Sequence, residues 1–116
     1  MGKFTVSKAS LHIGSVVLVT FPFSNLKGNK IRPALVLAQI EFDNLILCQI
    51  TSKPYSSKIA IRIELADFTQ GGLPVVSFIR PDKLFTADAA IIKSIVGELR
   101  VKVKNIILQK VSKLFS

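Results

Sequence analysis

From Ser15 to Phe21 the chain reads Ser-Val-Val-Leu-Val-Thr-Phe, a β-branched run stopped by Pro22, whose nitrogen carries no hydrogen for a strand ladder. This run predicts a first strand. The polar segment Ser24 to Lys30, with Asn25, Gly28 and Asn29, is a connection ahead of Arg32-Pro33 and a second apolar run, Ala34 to Ala38. Arg32 is therefore expected where a loop enters a strand. Glu41 to Asn44 reads as a turn, and Leu45 to Ile50 as a third strand ending on Thr51-Ser52-Lys53-Pro54. Ile59, Ile61 and Ile63 alternate with Ala60, Arg62 and Glu64, the period of two expected of a strand with one face buried.

Gly71-Gly72-Leu73-Pro74 predicts a turn, and Val75 to Ile79 a strand running into Arg80-Pro81-Asp82. A short helical turn near Thr86 to Ala90 and a last strand from Ile91 to Val96, broken by Gly97, follow. From Arg100 the period changes. Val103, Ile107, Val111 and Leu114 recur at spacings of three and four, with Lys102, Lys104, Lys110 and Lys113 mostly elsewhere, which describes an amphipathic helix that caps the core. Short strands followed by one helix predict a mainly β (α+β) fold, a small barrel or tightly bent sheet. With no repeat, linker or low-complexity tract, residues 1–116 read as a single domain, with 1–13 a polar N-terminal lead.

Composition narrows the partners more than the fold. Sixteen Lys and Arg against seven Asp and Glu give a net charge of +9, a field that attracts polyanions such as nucleic acid, an acidic membrane surface or an acidic protein segment. Cys48 is the single cysteine and lies within the apolar run Leu45 to Cys48, so an intramolecular disulfide is excluded and a core role in a reducing compartment is expected. No apolar stretch approaches the roughly 20 residues that span a bilayer, and the N-terminal residues lack the continuous apolar segment of a signal peptide. A soluble, cytoplasmic protein is expected.

Several chemistries have no visible seat. One His, one Cys and scattered acids at no ligand spacing make a metal site improbable, and neither GxxxxGK[ST] nor GxGxxG occurs, so no cofactor is expected. His12 lies in the polar lead, where a lone histidine is usually structural or exposed.

Taken in order, Gly14 to Phe23, Arg32-Pro33-Ala34-Leu35-Val36-Leu37, Gln49-Ile50-Thr51-Ser52 and Ser77 to Leu84 resemble the successive blocks of the PemK/MazF family, the toxins of toxin–antitoxin pairs. The resemblance extends from about Gly14 to the C-terminus and rests on the order and spacing of four blocks. It implies a compact SH3-like barrel of the plasmid-maintenance-toxin type with a C-terminal helix. It further implies a homodimer with an RNA groove across its interface, and metal-independent cutting of single-stranded mRNA. A cognate antitoxin with an acidic, flexible segment would suit a +9 partner. The Arg-Pro block places the family's catalytic arginine on Arg32, and the Thr-Ser block a phosphate-contacting hydroxyl on Thr51. In the PemK-like branch an Arg and an Asp two residues apart match Arg80 and Asp82. Lys30, Ser52, Lys53 and Ser77 flank these blocks and are assigned with Phe21 and Phe23 to RNA contact.

The chemistry asks for the same residue types. When a ribose 2′-hydroxyl attacks the adjacent phosphate, charge builds on the non-bridging oxygens, and a guanidinium binds two of them with a charge that does not titrate away. A hydroxyl such as Thr51 positions the phosphate, and a carboxylate such as Asp82 takes the attacking proton. Singly, each residue has a plainer reading: Arg32 as an exposed strand-entry charge, Thr51 and Ser52 as turn hydroxyls, Asp82 as the surface partner of Arg80 or Lys83, the two phenylalanines as core. The chain departs from many relatives in carrying Ser15 where they have an acid after the first-strand glycine, and in having no histidine between Ser24 and Lys30. A non-catalytic RNA-binding barrel, a gyrase poison of the CcdB type, or an enzyme that has lost activity but keeps its antitoxin groove stand as the other readings.

Overall fold

The computed structural model of the chain describes residues 11–21, 30–53 and 57–116, for Phe21 the backbone only. Its strands are β1 (Ser15–Phe21), β2 (Lys30–Ile40), β3 (Asn44–Thr51), β4 (Ile61–Ile63), β5 (Phe68–Gly71), β6 (Ser77–Asp88) and β7 (Ile92–Leu99), followed by helix α1 (Val101–Lys113). All pairings are antiparallel and make one sheet in the order β4-β6-β3-β2-β1-β7-β5. The sheet curls into a half-barrel with the helix against it.

Both faces of its middle are buried, which is why β1, β2 and β3 read as unbroken apolar runs. Val16, Leu35, Leu37, Cys48, Ile50, Ile63 and Ile79 fill one side with Phe68, Leu99 and the fully buried Ile107 of α1. The alternate residues Val17, Val19, Ala34, Val36, Leu45 and Leu47 fill the other with Leu11 and Ile92. The helix matches its predicted stripe: Val103 and Val111 pack beside Ile107 on the first cluster, and only Leu114, just past the last turn, is left exposed. Among the described residues no helix is long and apolar enough to cross a membrane.

The first three strands and the turn at Glu41 to Asn44 stand where the sequence places them, with Phe42 and Asp43 both at positive φ and the Asn44 N–H donating to the Glu41 carbonyl at 3.2 Å. Such a mirror-image turn matches the twist of a hairpin. Four expectations need correction. Arg32 lies inside β2, paired with Val19, because the ladder begins at Lys30 rather than at Ala34. The alternating isoleucines yield a strand of only three residues, Ile61–Ile63. The strand predicted to end near Ile79 runs on to Asp88, with Pro81, Asp82 and Lys83 forming a bulge between Arg80, opposite Gln49, and Leu84, opposite Cys48. A bulge needs no ladder donor, so the buried Pro81 is tolerated mid-strand.

The fourth concerns the glycines. Gly97 does not break the last strand, and Gly71 ends an unpredicted one. Gly71 sits at φ +63 and a Cβ there would stand 2.1 Å from the Val96 carbonyl oxygen, while a Cβ on Gly97 would stand 2.7 Å from the Phe68 ring. Both are bare so that β5 and its ring can close down on β7.

Candidate active site

Residues opposite one another on paired strands share a face, and alternate residues take opposite faces. Val19, on the second-cluster face of β1, stands opposite Arg32. Ala34 is opposite Gln49, and continuing that register by two residues sets Arg32 beside Thr51. Thr51 is opposite Phe78 of β6, and Phe78 is opposite Arg62 of β4. One transverse row thus runs Arg32, Thr51, Phe78, Arg62, about three strand spacings or ~14 Å across the backbone. The row behind it carries Gln49 and Arg80, themselves opposite one another. Ile50, Ile61, Ile63 and Ile79, between these residues, turn to the first cluster and anchor the strands from beneath.

The sequence-predicted Arg32, Thr51 and Arg80 therefore come from three strands onto one face. The Thr51 hydroxyl oxygen accepts the backbone N–H of Lys53 at 3.1 Å. That bond fixes the side chain and leaves its hydrogen to be donated to an anion. Arg80 holds its guanidinium 3.8 Å from the Asp82 carboxylate, with the two side chains 27% and 37% exposed. Asp82 rides on the bulge, so it reaches Arg80 without occupying a ladder position. Arg32 and Lys30 are exposed, as are Ser52 and Lys53 in the turn after β3. The face is strongly cationic.

The remaining assigned residues divide. Ser77 is corrected: it is buried and its hydroxyl donates to the Val75 carbonyl at 3.0 Å, so it is committed to its own chain rather than presented to a ligand. Phe23 and the side chain of Phe21 lie outside the described residues. Cys48 is a core residue: burial first, and the nearby Asp82 charge second, push its thiol up to about 12, so it is protonated and a poor nucleophile. Phe78, Gln49 and Arg62 were not singled out by sequence. Only the pairing of three strands distant in sequence brings them to this face; the sole local signal was that Arg62 alternates with core isoleucines.

Known structures share this architecture. The MazE–MazF complex of Deinococcus radiodurans is similar over 88% of this chain and 92% of its own, at 20% identity and a TM-score of 0.69. The Mycobacterium tuberculosis toxin MazF-mt6 is similar over 87% and 95%, at 17% identity and a TM-score of 0.67. An endoribonuclease of a mycobacterial species, solved with its cognate antitoxin, is similar over 88% and 91%, at 13% identity and a TM-score of 0.66. Identities this low establish the fold alone. No curated protein sequence matches. Residues 12–115 match a sequence-family model, and the chain belongs to that family: the PemK-like, MazF-like toxins of type II toxin–antitoxin systems.

Proposed function

We propose that this toxin is an endoribonuclease that cuts single-stranded mRNA selectively by sequence, without a metal, and thereby slows growth. The observation that carries the reading is the placement of Arg32, Thr51 and Arg80 on one sheet face from three strands. The shared fold of a mycobacterial endoribonuclease supports it, as does the chain's own membership of the PemK-like, MazF-like toxin family. In this reaction a 2′-oxygen forms a bond to the adjacent phosphorus and the bond to the 5′-oxygen of the next nucleotide breaks, leaving a 2′,3′-cyclic phosphate and a 5′-oxygen that takes a proton from water to become a hydroxyl. Arg32 and Arg80 neutralise the charge that grows on the non-bridging oxygens, and Thr51 donates its hydroxyl to hold the phosphate in line. Asp82, the carboxylate nearest Arg80, accepts the 2′-proton and orients the guanidinium.

The cationic face also suits an acidic, flexible segment of a cognate antitoxin, which would occupy the RNA's place; two solved neighbours are complexes of this kind of pair, an endoribonuclease with its cognate antitoxin and MazE with MazF. A homodimer working in the cytoplasm completes the proposal. Purified protein incubated with long single-stranded RNA in EDTA, beside Arg32→Ala, tests it. Discrete cuts ending in cyclic phosphate, lost in the variant, are expected; binding without cutting across varied sequences would replace the enzyme with a non-catalytic binding module.

A further inference from the structure

We infer that Phe78 and Arg62 form a stacking subsite for an unpaired RNA base, beside the phosphate held by Arg32 and Thr51. The inference rests on the ribonuclease reading and adds to it where the substrate is gripped. Phe78 stands directly opposite Thr51, about one strand spacing (~4.8 Å) away, so a base on its ring belongs to a nucleotide next to the held phosphate. Phe78 is partly buried and, among the described residues, belongs to neither core cluster, whereas its neighbours Ser77 and Ile79 are buried and Ile50 and Ile61 pack into the first cluster. A partly exposed ring set between a phosphate-binding hydroxyl and a guanidinium presents a flat face on which an unpaired base can stack.

Arg62 closes the row on the far side. Its side chain is 57% exposed, and its ion pair with Glu64 at 3.6 Å is a solvent-screened contact that a phosphate can displace. The order across the strands is guanidinium, hydroxyl, aromatic ring, guanidinium, which matches the alternation of phosphate and base along an unpaired strand. A second planar cation beside the ring adds cation–π attraction for a stacked base.

The test separates gripping from cutting. Cut positions are mapped for the wild type, and 2′-O-methyl oligonucleotides, whose nucleophile is blocked, are built on that site, or on the tightest-binding natural RNA if none is cut. 2-Aminopurine is then placed at successive positions. Its fluorescence is expected to be quenched at one position beside the held phosphate, and Phe78→Leu is expected to abolish that quench and weaken binding about 10-fold, with Phe78→Tyr restoring both. Arg62→Gln should weaken binding a few-fold. On cleavable RNA, Phe78→Leu should raise KM while kcat stays within a few-fold, and an abasic nucleotide at the quenched position should cost the wild type about 10-fold but the variant almost nothing. If Phe78→Leu binds and quenches like the wild type, or the abasic nucleotide is bound equally well, the subsite is overturned while RNA cutting by the wild type stands. If the wild type neither binds nor cuts RNA, both readings fall together. Poor folding of Phe78→Leu leaves the abasic arm, which alters only the RNA, to decide.

Discussion

Arg32 and Thr51 offer a phosphate different things, and the difference is measurable. A guanidinium presents a planar fork that meets two oxygens at once, whereas a lysine ammonium is a point charge, so Arg32→Lys should lose most of the rate although it keeps the charge. Removing one donor aimed at a developing oxyanion costs on the order of 10²- to 10³-fold in kcat, and that is the loss expected for Thr51→Val in single-turnover cutting, with RNA affinity little changed. Cys48 gives an independent reading of the residue scale. Its thiol ionises near about 12 when folded and near 9.0 when exposed, so its share of stability is whole below pH 9 and is lost as pH rises from 9 towards 12. The urea midpoint of the wild type should therefore converge on that of Cys48→Ala across this window. At neutral pH the native thiol should resist alkylation until the protein is unfolded.

Elements, unlike residues, are held by close approach, and the β5–β7 edge shows it best. Gly71→Ala would force a side chain into a left-handed conformation and against the Val96 carbonyl, so a loss of at least about 1–2 kcal/mol of stability is expected, read as a lowered melting temperature. The row proposed to cut RNA lies on other strands, so residual folded protein should cut RNA at the wild-type rate. This edge is also where the sequence was least legible. Phe68 to Gly71 has one buried residue and no alternation, and Gly71, followed by Gly72, signals a turn to any local reading, although the close approach of Gly97, 26 residues on in the partner strand, requires a bare Gly71. The long apolar runs of β1, β2 and β3 were legible because burial on both faces leaves nothing polar to interrupt them. Arg32, Thr51 and Arg80 could be singled out only through the resemblance of their blocks to the PemK/MazF family, whereas Phe78 and Arg62 could not, because the register that unites them is a property of β3, β4 and β6 together.

At the scale of the whole molecule the charge of +9 acts on every polyanion, but only cations on the site face act differentially. An overall field raises the encounter rate and fades within a Debye length of about 8 Å at physiological salt, whereas a side chain that neutralises a phosphate releases a counterion and leaves its mark on the salt dependence. Among the described residues, Lys30, Arg32, Arg62 and Arg80 are the four cations that the strand pairing places on that face. Arg32 and Arg80 share one phosphate, so these four cations neutralise three, which for single-stranded RNA corresponds to a slope of about −2 in a plot of log affinity against log salt. Arg62→Gln should make that slope shallower by about 0.7, while a lysine removed from the exposed side of α1, such as Lys102→Gln, should lower affinity slightly and leave the slope unchanged. Equal changes in slope for the two variants would mean that RNA is held by the diffuse charge of the molecule rather than by the row across β2, β3, β6 and β4.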